Sequence, residues 1–147
     1  MILNTAARYF TDTDCIQVGI IVQNDDRTSA AAKLQSGTVE ILHGTTAVVS
    51  EQFDRRHKVM WFADGSTTPV DQGNFLFLYH HPPMQKNARV RVSVTLTGSL
   101  SATQVVNIDA ESSDKRRSWL NPSLAGLPAT EYPDDGTVPI RAPENIE

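Results

Sequence analysis

The chain holds a single cysteine, Cys15, in 147 residues. An internal disulfide is therefore excluded, and with it the class of small secreted domains stapled by disulfides. Long hydrophobic runs are missing too. The longest, at residues 20–22 and 75–79, are far too short to cross a bilayer as helices, so no membrane partner is expected. No positively charged start leads into an apolar stretch. The expectation is a chain without a signal peptide, in the cytoplasm or in a particle assembled there. Charge of one sign is scarce: the net value of −4 favours solubility but is too mild to capture a polyanion.

Catalytic signatures are also absent from the sequence. Gly65, Gly73, Gly98 and Gly136 stand alone, each in a turn context, so no loop cradles a phosphate. There is no G-x-S-x-G, and no H-x-H, H-E-x-x-H or C-x-x-C spacing. The expectation is a non-enzymatic protein with no cofactor and no bound metal.

What is present is β pattern. Ile16, Val18, Ile20 and Val22 alternate with Cys15, Gln17, Gly19 and Ile21, and Asn24-Asp25-Asp26 ends that run as a turn. The stretch NARVRVSVTLTG sets Val90, Val92, Val94 and Leu96 on one face against Arg89, Arg91, Ser93, Thr95 and Thr97 on the other. This predicts a half-buried strand, returning through Gly98-Ser99 as a hairpin with residues 103–110. NFLFLYHH is apolar on both faces and predicts a central strand covered twice, or a strand at an oligomer interface. Residues 1–11 are mixed and read as an edge strand or a loose end. TSAAAKLQSG is the one helical-looking piece, with Thr28 or Ser29 as cap and Gly37 as stop, and a loop with a helical turn is its alternative reading, since two turns are marginal alone. About seven short strands and no long helix predict an all-β antiparallel β-sandwich, immunoglobulin-like or jelly-roll-like, with a small barrel giving much the same pattern. The cysteine pair and central tryptophan of antibody domains are lacking.

After Ala110 the character changes. Pro122, Pro128, Pro133, Pro139 and Pro143 break any period, while Trp119, Leu120, Leu124, Leu127, Tyr132, Val138 and Ile140 recur among them. A solvated tail needs no such anchors. The domain is therefore expected to span residues 1–127, its last segment packed along it, and residues 128–147 to form a Pro-rich arm.

Six residues stand out as ligand or interface candidates: His80, His81, Asp64, Asp71, Trp119 and Tyr132. Adjacent strand residues face opposite ways, so both histidine rings reach one ion only if the backbone bends there, and Pro82 biases His81 toward extended geometry. Zinc would need further ligands, from His43, His57, Cys15 or the aspartates. Strand termination by Pro82-Pro83 is the simpler account. Cys15 would need a histidine beside it to act as a nucleophile, and the flanking acids disfavour its thiolate. The acidic clusters at residues 12–14, 24–26 and 134–135 lack calcium-loop spacing. The basic runs at residues 55–58 and 115–117 each have an acidic neighbour, so no nucleic-acid partner is expected. Trp119 and Tyr132 lie in loop-like sequence and suit an interface anchor or a sugar-stacking face. The function expected is a structural or protein-interaction module that self-associates. The alternative is a carbohydrate-binding module using Trp119, Tyr132, Asp64 and Asp71.

Overall fold

The computed structural model describes residues 1–11, 14–61, 68 and 70–111. Eight strands follow one another: β1 (Ile2–Phe10), β2 (Cys15–Gln23), β3 (Leu34–His43), β4 (Thr46–Phe53), β5 (Lys58–Trp61), β6 (Val70–His80), β7 (Arg89–Leu96) and β8 (Leu100–Glu111). They form one continuous sheet in the order β4-β3-β7-β8-β1-β2-β6-β5. Every neighbouring pair is antiparallel except β1 and β8, which run parallel. The sheet curls into a half-barrel, so the fold is all-β and broadly sandwich- or barrel-like. Of the expected domain, residues 1–127, the description reaches as far as Glu111, and the expected arm, residues 128–147, lies outside the described residues.

β8 holds the curl together. Its residues 100–107 pair with β7, and from Ile108 onward it pairs with β1. One strand thereby belongs to both halves. Alternate residues from both halves point to a shared interior: Ile16, Val18, Ile20 and Val22 of β2 meet Val39 and Ile41 of β3 and Val90, Val92 and Val94 of β7. The hairpin expected from NARVRVSVTLTG is present, closed by Gly98 at φ +86° and Ser99 at φ +65°. A left-handed pair of this kind is what a short hairpin loop needs, and glycine adopts it without steric penalty.

Three sequence expectations need correction. Among the described residues there are eight strands rather than about seven, because residues 2–10 are a full strand between β2 and β8 rather than a loose end or edge. TSAAAKLQSG follows its alternative reading, a loop with a helical turn, rather than the helix. It holds only a single 3-10 turn, Ala31–Lys33, before Leu34 begins β3. Tertiary pairing overrides the alanine propensity here, since Leu34 and Gly37 face Leu96 and Val94 of β7. The strand buried on both faces is β2, at every one of its positions, whereas Leu76 and Leu78 of β6 are only half-buried.

The halves of the curl meet through side chains. The Phe53 ring, at the end of β4, lies 5.3 Å from Phe75 and 5.0 Å from Phe77 of β6, centroid to centroid. It also covers Gly37, where any Cβ would run into the ring. Burial of this ring is nearly complete, at 4% exposure. We predict that Phe53→Ala lowers unfolding stability by about 3–5 kcal/mol, as expected for an emptied aromatic site. Denaturant unfolding checks this, and a change under about 1 kcal/mol would mean the seam does not hold the halves together.

Candidate functional site

The two histidines from the apolar run sit at the end of β6, and the chain does bend between them. β6 ends at His80, and His81 has a φ of +51°. This corrects the extended geometry that Pro82 led us to expect. The cause is Asp14 in the β1–β2 turn, itself left-handed at φ +49°. The His81 amide donates to the Asp14 carbonyl at 2.9 Å, and His81 Nδ1 lies 2.9 Å from Asp14 Oδ2. A left-handed non-glycine residue costs roughly 1 kcal/mol, and these two bonds offset it. Tyr9, from the end of β1, donates its hydroxyl to Asp14 Oδ1 at 2.8 Å.

Asp14 thus gathers three strand ends, those of β1, β2 and β6. Hydrogen bonds from His81 and then Tyr9 hold its carboxyl below the usual carboxylate range. The same bond pushes the Tyr9 phenol up. A carboxylate on Nδ1 fixes the proton there and leaves Nε2 outward as acceptor. That is the orientation a general base or metal ligand requires. The His81 side chain is 83% exposed, and its two bonds to Asp14 tie the end of β6 to the β1–β2 turn. The arrangement works as a latch between strand ends.

The other candidates are dispersed. His80 is exposed and pairs in register with Cys15. Cys15 is buried at 3% exposure, and its Sγ lies 3.6 Å from the Ile16 carbonyl of its own strand. His43 contacts the Pro83 carbonyl through Nε2 at 2.9 Å. His57 stacks on Phe77 and caps its own turn against Asp54. Among the described residues, no three side chains of His, Cys, Asp or Glu converge as a metal site would require. Asp71 is engaged internally: its Oδ2 takes a 2.9 Å ion pair from Lys58 and its Oδ1 accepts the Gly73 amide at 2.9 Å. Burial pushes the Asp71 carboxyl up, but bonds from Ser29, Lys58 and Gly73 outweigh it and leave it below the usual range. Asp64, Trp119 and Tyr132 lie outside the described residues.

Sequence reasoning missed two features. One is Tyr79, whose hydroxyl donates to Glu51 Oε1 at 2.6 Å across the gap between β6 and β4. Burial, then this bond, pushes its phenol far above the ordinary range. The other is a half-open cavity of about 440 Å³ at the far end of β2, lined by Asn24, Asp25, Asp26, Lys33 and Leu100. Its charges are largely paired: Asp25 with the Met1 amine at 2.6 Å, Lys33 with Asn24 Oδ1 at 3.0 Å, Asp26 with the Thr28 hydroxyl at 2.6 Å. The turn expected at Asn24-Asp25-Asp26 is formed. Among the described residues, no helix is long and apolar enough to cross a membrane. No protein-family model matches this chain, and no curated protein is similar to it in sequence.

Two pH predictions follow from these groups. A depressed carboxyl adds stability that is present above its unfolded pKa, about 3.9, and is lost as pH falls through the folded value. Asp14→Asn should therefore be destabilising near neutrality and converge on the parent chain in acid. Denaturant midpoints compared across that range test this, and a gap that persists undiminished would remove Asp14 from the acid dependence. A raised phenol does the reverse: its contribution is present below an unfolded pKa of about 10 and is lost as pH rises beyond it. In a near-ultraviolet absorbance titration, Tyr79 should ionise only as the fold is lost. Tyr79→Phe should delete that late step and cost about 1–2 kcal/mol by leaving Glu51 without its donor.

Proposed function

We propose that this chain is a non-enzymatic structural or interaction module that acts by self-association. The observation that carries the reading is the β4 edge. β4 is an outermost strand, eight residues long, and its far side has no strand partner among the described residues. Thr46, Ala47, Val48, Ser50 and Gln52 are exposed along it. A long edge strand is a template for pairing with another chain, which proteins usually blunt with lysine, proline or a covering element. The sequence TAVVSEQF contains neither lysine nor proline. Backbone pairing at such an edge supplies affinity without a large apolar patch.

The reading keeps the sandwich in its looser form, with β4-β3-β7-β8 facing β1-β2-β6-β5. An immunoglobulin-like or jelly-roll-like connectivity rests on strand count alone. Residues 128–147 enter as an arm that reaches a neighbouring copy, on the grounds of their proline content and scattered apolar anchors. The carbohydrate alternative has less behind it, since Asp71 spends its carboxylate on Lys58, Ser29 and Gly73.

Light scattering on a gel-filtration column tests the proposal with three proteins: the full chain, a chain ending after Leu127, and Val48→Lys/Ser50→Lys. The full chain should run as an oligomer and the lysine variant as a monomer with an unchanged melting temperature. The shortened chain should associate more weakly. A full chain that has the mass of one copy at all accessible concentrations ends the self-association reading.

A further inference from the structure

β8 is paired on its two sides over different lengths. Toward β7 it is bonded along residues 100–107, in a register without a shift. Toward β1 the ladder holds only residues 7–10 against 108–111. Before that junction the two strands part. Along residues 100–107 the side of β8 turned toward β1 has no strand partner among the described residues. Residues 2–6 of β1 likewise pair with β2 and not with β8. The gap leads to the cavity of about 440 Å³, which both Met1 and Leu100 line.

The side chains along this gap are apolar or lack partners. Leu3 of β1 and Ala102 and Val106 of β8 point inward and are only half-buried against the interior cluster. Thr5 and Gln104 share that inner face, since they sit opposite Ile20 and Val92. Thr5 Oγ1 and Gln104 Oε1 are buried with no hydrogen-bond partner. On the outer side Leu100 is 52% exposed and Val105 43%. The run LSATQVVN holds no charge and no proline, and no bulge interrupts it. A strand edge left without any of these is a template for another strand.

We propose that this gap takes an extended segment of a partner protein, which adds to β8 as a strand along residues 100–107. The edge states the chemistry of that segment. Backbone N–H and C=O groups repeated along a strand are matched in period by another extended backbone. Inward, the segment meets Leu3, Ala102 and Val106, so its residues opposite Ala102 and Val106 are apolar. Opposite Gln104 it carries a donor for the orphaned Oε1. Its run along β8 is uncharged, but a basic residue lies just beyond Leu100. There the cavity wall holds Asp25, 88% exposed, and Asp26. The Met1 amine and Thr28 engage only the Oδ1 atoms of these two, and Lys33 is turned to Asn24. Opposite charge at that end also sets direction. Antiparallel pairing is the stronger kind, and it brings the segment's carboxyl end over Leu100, so the basic residue follows the strand. The inference stands apart from the β4 reading, which concerns a different edge.

Hydrogen exchange followed amide by amide in the native full chain reads the edge without any variant. In dilute protein, alternate amides of residues 100–107, those not bonded to β7, should exchange at least about 100-fold faster than their neighbours. The probe is a blocked synthetic peptide with threonine at the outward positions, valine opposite Ala102 and Val106, glutamine opposite Gln104 and lysine at its carboxyl end. It should slow those alternate amides at least about tenfold, and saturably. With glutamate in place of its lysine it should bind about two- to fivefold more weakly. Ala102→Lys/Gln104→Lys turns charge into the gap and should abolish the effect while the amides bonded to β7 stay protected. Val48→Lys/Ser50→Lys should leave it intact, so that failure here and failure of the β4 reading are told apart. No slowing at millimolar peptide overturns the proposal, as does equal binding of the glutamate peptide. Alternate amides already slow in the free chain overturn it too: at every dilution they would mean that the chain covers its own edge, and only when concentrated, that a second copy does.

Discussion

The outermost strands of the sheet, β4 and β5, are joined by residues 54–57 alone. A flat eight-stranded sheet would hold its edges roughly 34 Å apart, while so short a link spans at most about 18 Å. The sheet therefore has to curl until its edges approach. The link is tighter still, because Asp54 caps a single turn through the Arg56 amide and the His57 ring. Everything else in the fold answers to this constraint. Phe53 precedes the link and is drawn onto Phe75 and Phe77. Tyr79 bonds to Glu51 just beyond it. The two halves are thus closed by side chains where no backbone ladder joins them.

Curling divides the surface into regions with separate tasks. The inside is a continuous apolar interior drawn from both halves. Outside, β7 and β8 carry serine, threonine and arginine, so that part of the wall meets water at little cost. β2 lies between β1 and β6 and has buried residues on both faces. Asp14 and His81 lie at one end of this strand, joined to Tyr9, and the cavity near Asn24 lies at the other. The polar groups at the first end tie together strands that the ladder alone would let fray.

Some of this was legible in the residues. Val90, Val92, Val94 and Leu96 are buried and their alternates are not, because a strand with one solvated face writes a clean period of two. The hairpin followed from Gly98-Ser99 and that period. TSAAAKLQSG misleads because its alanines favour a helix locally, while Gly37 is needed bare beneath the Phe53 ring, a contact sixteen residues away. The parallel pairing of β1 with β8 joins opposite ends of the described chain, and no local pattern announces it. The latch was half-visible. His81 was singled out, but its partner Asp14 is 67 residues earlier and meets it only once β2 and β6 are in register. The proline after His81 pointed away from the bend that the aspartate imposes. Tyr79 was read as apolar lining, since nothing nearby in sequence reveals Glu51 across the gap.

The geometry of the edges also limits what kind of assembly the β4 reading allows. A sheet has two edges, and here they are unequal: β4 has eight residues and β5 has four. Pairing β4 of one copy with β5 of the next would be head-to-tail, and an interface of that kind propagates unless its rotation happens to close. The short β5 offers few ladder bonds for it, and Lys58 at its start is already held by Asp71. Pairing β4 with β4 across a twofold axis uses the longer edge twice and satisfies both copies at once. It also brings Glu51 and its symmetry mate no closer than the strand register dictates, since Glu51 points inward to Tyr79. The outward residues at the contact are then Val48, Ser50 and Gln52, which are uncharged. On these grounds the proposed association through β4 would form a closed pair of chains, with the latched end of β2 left outside the contact.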